Sequence, residues 1–508
     1  MRFLKSFFIV IFIIIGFTIN AQNSLDVVKT KSGLVSGTET NGIHIFKGIP
    51  FATPPINDLR WKAPQPVKPW FGTLACTKFG PSPVQNDPKP FRMWTQEFIT
   101  PAESLSEDCL YLNVWTPAKS SSEKLPVLVW IYGGGFSSGS GACPVYDGES
   151  IVKEGIVYVT INYRVGVFGF LAHPDLTSES PTKSSGNYGL MDQIAALKWV
   201  KENIAAFGGD PDKVTIAGQS AGSFSVQALV ASPLTKGLFC GAIAQSGAMT
   251  SRPSVALAQA ELTGKKLSEK ISTLRVLSAD SVLKMAGELP FGSFFPIVDG
   301  NVLPTDVRQI FENGKHNDIP IMLGWVTGDA DLIEGPPQSS EQFREMAKTR
   351  YKDKIDEFNK LFPSATEEEL KSSQRKLSLL GFAGFPDYEW ASWNKHKSFM
   401  YQFSYVPTDK PGFPNYGAFH TSEVPFALHT LNKWDRPWKE TDFKVEKFMT
   451  AYWVNFVKTG NPNGSSLPEW KPFDKAQGNI MELGERPALT PGIFKSEYSF
   501  LESSQKKK

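Results

Sequence analysis

Cysteine is scarce in this chain: Cys76, Cys109, Cys143 and Cys240 are the four among 508 residues. That is too few for a scaffold built on disulfides. It leaves room for one or two bridges, and the spacing is no zinc signature. A charge excess of one sign is also missing. The chain carries 53 basic and 51 acidic residues, and without Arg2 and Lys5 the balance becomes 51 to 51. This argues against a nucleic-acid binder, and Lys506-Lys507-Lys508 reads as a solvated tail rather than a binding patch. No apolar run beyond residue 15 is long enough to span a bilayer. No Pro/Ser/Gly-rich linker, internal repeat or charge block divides the chain. Histidine is rare too, with His44, His173, His316, His396, His420 and His429 the six candidates for a catalytic base.

What is present starts with Met1-Arg2-Phe3-Leu4-Lys5, an apolar run over 7–15 and a small residue, Ala21. A basic start, a short apolar stretch and a small residue at the cleavage position outline a signal peptide over 1–21. The expectation is therefore export, to the periplasm or the extracellular side, with no stable membrane anchor once the signal is removed. Residues 22–508 are expected to form one large domain with inserted loops.

Apolar runs at 126–131, 156–161, 214–217, 241–244, 319–323 and 400–405 read as buried strands. Helical patterns lie between several of them. In the clearest, Leu190, Ile194, Leu197, Val200 and Ile204 recur on one helix face before Gly208-Gly209-Asp210-Pro211 ends it. Strand and helix in alternation predict an α/β fold, a large mostly parallel central sheet with helices on both faces.

The segment Gly218-Gln219-Ser220-Ala221-Gly222 sits between the strand-like run 214–217 and a helix-like run over 223–231. This is the setting of a nucleophile elbow, in which a serine occupies a strained strand-to-helix turn and flanking glycines avoid collisions. Ala221 would open the helix and offer its unpaired N–H to a negative oxygen beside Ser220.

A serine hydroxyl attacks only if a base accepts its proton, and histidine has the suitable pKa. The chain order serine, acid, histidine favours the late histidines, His420 and His429. His420 lies in the loop-like Tyr416-Gly417-Ala418-Phe419-His420-Thr421-Ser422-Glu423, whereas His429 follows an apolar run and reads as a packing or helix-surface residue. The acid is expected just beyond a strand end. Trp325-Val326-Thr327-Gly328-Asp329-Ala330-Asp331 follows such a strand, with Asp329 the first choice and Asp331 the second. Tyr132-Gly133-Gly134-Gly135-Phe136 follows another, and consecutive glycines let backbone N–H groups face a cavity. Gly134 and Gly135 are assigned with Ala221 to an oxyanion hole. A phosphate loop is the rival reading, but the Lys-Ser/Thr ending it needs is missing. Phe136, Phe291, Phe294 and Trp325 are candidate pocket walls that serve equally well as ordinary core.

From about Val35 to Phe473 the chain resembles the type B carboxylesterases, the α/β-hydrolase branch that includes the cholinesterases. Phe46-Lys47-Gly48-Ile49-Pro50-Phe51-Ala52, Leu59-Arg60-Trp61, Ser106-Glu107-Asp108-Cys109-Leu110-Tyr111-Leu112-Asn113 and Asn162-Tyr163-Arg164-Val165-Gly166 carry the resemblance. Gly186-Asn187-Tyr188-Gly189-Leu190-Met191-Asp192-Gln193, Phe207-Gly208-Gly209-Asp210-Pro211 and the elbow add to it. The resemblance implies an α/β-hydrolase fold and a serine esterase acting on small-molecule carboxylic esters with Ser220, Asp329 and His420 as its triad. It needs no cofactor and no metal. It also implies a structural ion pair between Arg60 and Glu107 and places Ser246 near the triad. Four departures stand out. Tyr132 replaces the usual His before the glycines, and Asp329-Ala330 replaces Glu-Gly. Pro83 stands where relatives carry the cysteine that pairs with the Cys109 position, with Cys76 a candidate substitute. Met93-Trp94 resembles the aromatic choline site of cholinesterases, but its distance to Glu107 is longer by several residues, so choline specificity is not carried over. Two alternatives remain: a lipase or polysaccharide deacylase with the same triad, and a noncatalytic interaction protein.

Overall fold

The computed structural model describes residues 25–101, 104–333 and 338–505. The expected signal peptide over 1–21 and the terminal lysines lie outside them. At the centre is an eleven-stranded sheet. In chain order its strands are β1 (Thr38–Thr40), β2 (Ile43–Pro50), β3 (Tyr111–Thr116), β4 (Leu125–Ile131), β5 (Val157–Ile161) and β6 (Gly209–Gln219). They continue as β7 (Gly241–Gln245), β8 (Ile321–Val326), β9 (Ser398–Phe403), β10 (Asn479–Leu483) and β11 (Pro487–Pro491). Across the sheet the order is β11-β10-β9-β8-β7-β6-β4-β5-β3-β2-β1. All pairings from β5 to β10 are parallel, and the strands beyond them at either edge pair antiparallel.

The sequence accounts for this layout. Val-Tyr-Val-Thr-Ile in β5 and Ile-Met-Leu-Gly-Trp-Val in β8 are buried at every residue, as parallel strands covered on both faces must be. The periodic apolar residues near 190 form the helix α1 (Tyr188–Asn203), which tightens into a 3-10 turn over Ile204–Phe207. Gly208, at φ +80°, then reverses the chain directly into β6. Helix α2 (Ala221–Ala231) leaves β6 at the elbow, and α3 (Glu440–Thr459) packs near the same central strands. One continuous apolar cluster runs from Leu25 to Leu501. Among the described residues no helix is long and apolar enough to cross a membrane.

Two buried Arg–carboxylate pairs tie loops to this frame. Arg164 grips Asp192 of α1 through Nε and Nη2, each at 2.7 Å, fixing the loop after β5. Arg60 donates from Nε to Glu107 Oε2 at 2.7 Å and from Nη1 to the carbonyls of Leu274 and Leu277, so the implied pair is present and its remaining donors are satisfied. The cysteines, by contrast, form no bridge. All four are free thiols, three of them buried, and Pro83 lines the same small cavity as Cys109. Cys76 therefore does not replace the missing partner.

Candidate active site

Ser220 stands at φ +58°, ψ −124°, a conformation that L-residues avoid, between the end of β6 and the start of α2. The flanking glycines explain how the turn closes. A Cβ on Gly222 would come 2.1 Å from the Ile131 carbonyl oxygen, and one on Gly218 would lie 2.6 Å from the Gly222 backbone. Only hydrogen at both positions lets α2 sit this close to β4 and leave Ser220 at the apex. The Ser220 N–H donates to Gln245 O at 2.8 Å, which holds the apex against β7. Its hydroxyl makes no hydrogen bond among the described residues.

The glycine loop lies against this apex. A Cβ on Gly133 would fall 3.1 Å from Ser220 Cβ, which places the loop beside the serine. Gly134 has φ +106°, and a Cβ there would collide with Ser138 O at 2.2 Å, so the loop's path requires glycine. The N–H groups of Gly134 and Gly135 have no acceptor among the described residues. Tyr132, in place of the usual His, holds the loop from below. Its ring stacks on Tyr163 at 4.3 Å, its hydroxyl donates to Tyr163 O at 2.7 Å, and the Tyr163 hydroxyl donates back to Tyr132 O at 2.9 Å.

Asp329 and His420 meet behind the apex. Asp329 follows β8 at the start of a short helix, and its Oδ1 lies 2.5 Å from His420 Nδ1. Its Oδ2 accepts from Val326 N at 3.1 Å, and both residues are buried. Aspartate is shorter than the relatives' glutamate, and the backbone makes up the reach. Gly328 N donates to Ala418 O at 2.9 Å, Gly328 and Phe419 form a bridge, and a Cβ on Gly328 would lie 2.4 Å from Ala418 O. Asp331 turns away and accepts from Arg375 Nη2 at 3.0 Å. His429 is paired instead with Glu446 at 3.8 Å.

Three groups around the histidine escaped the sequence reading. Gln219 Nε2 is 3.1 Å from His420 Nε2; with Nδ1–H donated to Asp329, Nε2 is the acceptor. Glu423, three residues after His420, is buried and accepts from Tyr401 Oη at 3.2 Å and Ser246 Oγ at 3.5 Å. Burial, and then the Asp329 charge, push its carboxyl up to about 8. Asp387 is fully buried with neither carboxyl oxygen hydrogen-bonded among the described residues, and burial again, with Asp329 and Glu423 nearby, drives it well above the usual carboxylate range. The +3 spacing of Glu423 from His420 was visible in the sequence, but the burial that makes these groups unusual was not.

Aromatic rings enclose the site. Trp94 packs edge-on to His420 at 6.4 Å and donates from Nε1 to Thr421 Oγ1 at 2.9 Å. Phe382 also packs edge-on to the imidazole at 5.7 Å and meets Phe224 at 5.9 Å. Phe136 is buried against Phe224 and Phe295, whereas Phe291 is exposed beside Gly135. Phe294 is partly buried against the core. Trp325 is no pocket wall. It is fully buried within β8, with Nε1 on Gln402 Oε1 at 3.0 Å, because its position in the strand turns it into the core. Among the described residues a triplet with metal-ligand spacing, Asp26, Glu39 and His44, lies at the sheet edge formed by β1 and β2, not at this site.

Comparison with known proteins identifies the family. The model of the carboxylesterase family matches residues 24–501. The chain is 38% identical over 465 residues to the para-nitrobenzyl esterase of Bacillus subtilis (strain 168), covering 87% of this chain and 91% of that protein. It is 35% identical over 495 residues to the fumonisin B1 esterase of Sphingopyxis macrogoltabida, covering 91% and 87% respectively. A solved PNB esterase superposes with a TM-score of 0.82 at 32% identity, covering 94% of this chain and 99% of that one.

Proposed function

The chain belongs to the carboxylesterase family and is a carboxylic ester hydrolase, and we propose that it works through an acyl-enzyme formed on Ser220. The observation that carries this reading is the 2.5 Å contact from Asp329 to His420 Nδ1, next to a serine held at φ +58°. With Nδ1–H held by the carboxylate, the lone pair on Nε2 is the base. Ser220 Oγ attacks the ester carbonyl as Nε2 takes its proton, and the resulting imidazolium is stabilised by Asp329. Nε2 now holds Gln219, so the serine must displace that amide when substrate is bound; such contacts commonly tighten only in the complex.

The negative oxygen of the tetrahedral intermediate is received by the N–H groups of Gly134, Gly135 and Ala221. Each is a backbone donor without a competing partner, and loss of one such donor typically costs ~10²–10³ in rate. His420 then protonates the leaving alcohol, and a water activated by the same Nε2 releases the acid. Glu423 and Asp387, held toward their neutral forms by burial, leave Asp329 as the carboxylate facing the imidazole.

Action on short or medium esters is favoured over a lipase or polysaccharide deacylase because aromatic side chains crowd the site around His420. The noncatalytic alternative has no observation in its favour. The proposed location is outside the cytoplasm, on the strength of the basic and apolar segment over 1–21. The test compares hydrolysis of p-nitrophenyl acetate, butyrate and palmitate by the mature protein and by Ser220→Ala, with fluorophosphonate labelling alongside. Rapid acetate and butyrate turnover, slow palmitate turnover, and loss of both activity and label in the variant are expected. Equal turnover in the variant would refute the mechanism.

A further inference from the structure

Arg252 is held by an aromatic face and by no acceptor among the described residues. It follows the 3-10 turn Met249–Ser251 just beyond β7, and its guanidinium lies 4.1 Å over the ring of Phe295. No hydrogen bond or ion pair to its side chain exists among the described residues, although the group is only partly exposed. Burial lowers its pKa, and among the described residues no carboxylate offsets that effect. The neighbouring Arg308, by contrast, is bonded to Glu389. The guanidinium thus rests on an aromatic face and keeps N–H donors available to an anion that reaches it.

Its surroundings connect it to the site. Phe295, under the guanidinium, packs at 5.2 Å on Phe136, the residue that follows the glycine loop, and at 6.0 Å on Phe291. A Cβ on Gly135 would lie 3.0 Å from Phe291 Cζ, so this wall abuts the oxyanion side of Ser220. At the other end of the Arg252 segment, Gly247 abuts Phe224 and Phe382. Gly292, at φ +86°, carries no side chain where a Cβ would stand 3.8 Å from Arg252 Nη2, and so leaves the guanidinium approachable.

The direction of the chemistry decides which part of the substrate meets this wall. His420 must protonate the leaving alcohol, so the alcohol lies toward the imidazole and Trp94. The carbonyl oxygen faces the N–H groups of Gly134 and Gly135, so the acyl chain is the remaining substituent, and Phe291 and Phe295 stand beside that loop. We propose that Arg252 pairs with a carboxylate carried by the acyl chain, so that half-esters of dicarboxylic acids are preferred substrates. This deepens the Ser220 acyl-enzyme reading and rests on it.

The test is a ratio of kcat/KM values measured by pH-stat: monoethyl glutarate against ethyl pentanoate, and monoethyl adipate against ethyl hexanoate, each pair matched in chain length. In the native enzyme the half-ester is expected to be favoured for at least one pair. In Arg252→Met that ratio should fall about ten- to a hundredfold, the effect expected of a charge-assisted hydrogen bond, and mainly through KM. Arg252→Lys should retain part of the preference. An unchanged ratio in Arg252→Met, an equal loss on both esters, or native discrimination against both half-esters would overturn the assignment. Hydrolysis of neither ester with Ser220 still labelled by fluorophosphonate would also overturn it, whereas loss of labelling as well would overturn the acyl-enzyme reading beneath it.

Discussion

Asp329→Asn tests the assignment of the acid most sharply, because the surroundings dictate how the amide must sit. Asp329 Oδ2 accepts from the Val326 N–H at 3.1 Å, a buried backbone donor with no water to replace the carboxylate. An asparagine must keep its carbonyl oxygen on that donor, since an unsatisfied buried N–H costs about 1–3 kcal/mol. Its NH₂ group then occupies the former Oδ1 position, 2.5 Å from His420 Nδ1 before relaxation. A donor there forces Nδ1 to accept, moves the ring proton to Nε2, and removes the lone pair that Ser220 needs. The side chain is isosteric and the fold should persist. Activity should fall by about 10⁴ in kcat, or ~5 kcal/mol in the barrier, the loss expected when the imidazole is locked in the wrong tautomer. Steady-state hydrolysis of p-nitrophenyl butyrate, with circular dichroism to confirm folding, measures it. Asp331→Asn is the control: it loosens a partly exposed pair with Arg375, an interaction of about 0–1 kcal/mol, and should leave turnover close to native. A loss below tenfold in Asp329→Asn, or a larger loss in Asp331→Asn, would refute the assignment.

Two further substitutions probe groups in contact with this pair. Gln219→Glu places a carboxylate about 3 Å from His420 Nε2, which favours the imidazolium, so the acid limb of the kcat/KM profile should move upward by about one to three pH units; an unmoved limb counts against the contact. Glu423 has its pKa raised from 4.5 to about 8 in the fold, so between those values the unfolded chain is ionised while the native carboxyl keeps its proton. Stability therefore declines as pH rises through that window and levels off above about 8. Glu423→Gln, which cannot ionise, should flatten this decline in urea midpoints measured from pH 5 to 8, and an identical slope in both proteins would contradict the burial argument.

The parts of the molecule that were legible in the sequence are those whose physics is local. The strand at 156–161 reads from its β-branched residues and Tyr158, and the structure places it at Val157–Ile161. The elbow is equally local, because Gly218 and Gly222 are demanded by contacts within a few residues and with one neighbouring strand. Trp325 shows where such reading stops. It served equally well as pocket wall or core in the sequence, because which face of β8 points to the site depends on the packing of the whole sheet. Asp329 and Asp331 were inseparable for the same reason. They are two residues apart on one turn, and only the distant loop at 418–420 and the helix bearing Arg375 tell them apart. The thiols failed differently: pairing requires two cysteines to converge, and the replacement at Pro83 removed one side of that pair.

The shorter acid and the buried carboxyls beside it belong to one electrostatic arrangement. Aspartate reaches His420 only because Gly328 allows its strand end to bond directly to the Ala418 backbone, a contact that also excludes water from the pair. A dry site strengthens the Asp329–imidazolium attraction, but it equally strengthens repulsion between Asp329 and any second anion. Glu423 and Asp387 both lie within range of Asp329 and are the second anions at issue. Their burial makes ionisation expensive, so at neutral pH they supply polarity without a competing charge. Asp387 has no hydrogen-bond partner for either oxygen among the described residues, and its burial favours the neutral acid. The same low dielectric thus opposes a second carboxylate beside Asp329, and raising the pH far enough to ionise Glu423 adds a negative charge behind the Asp329–His420 pair.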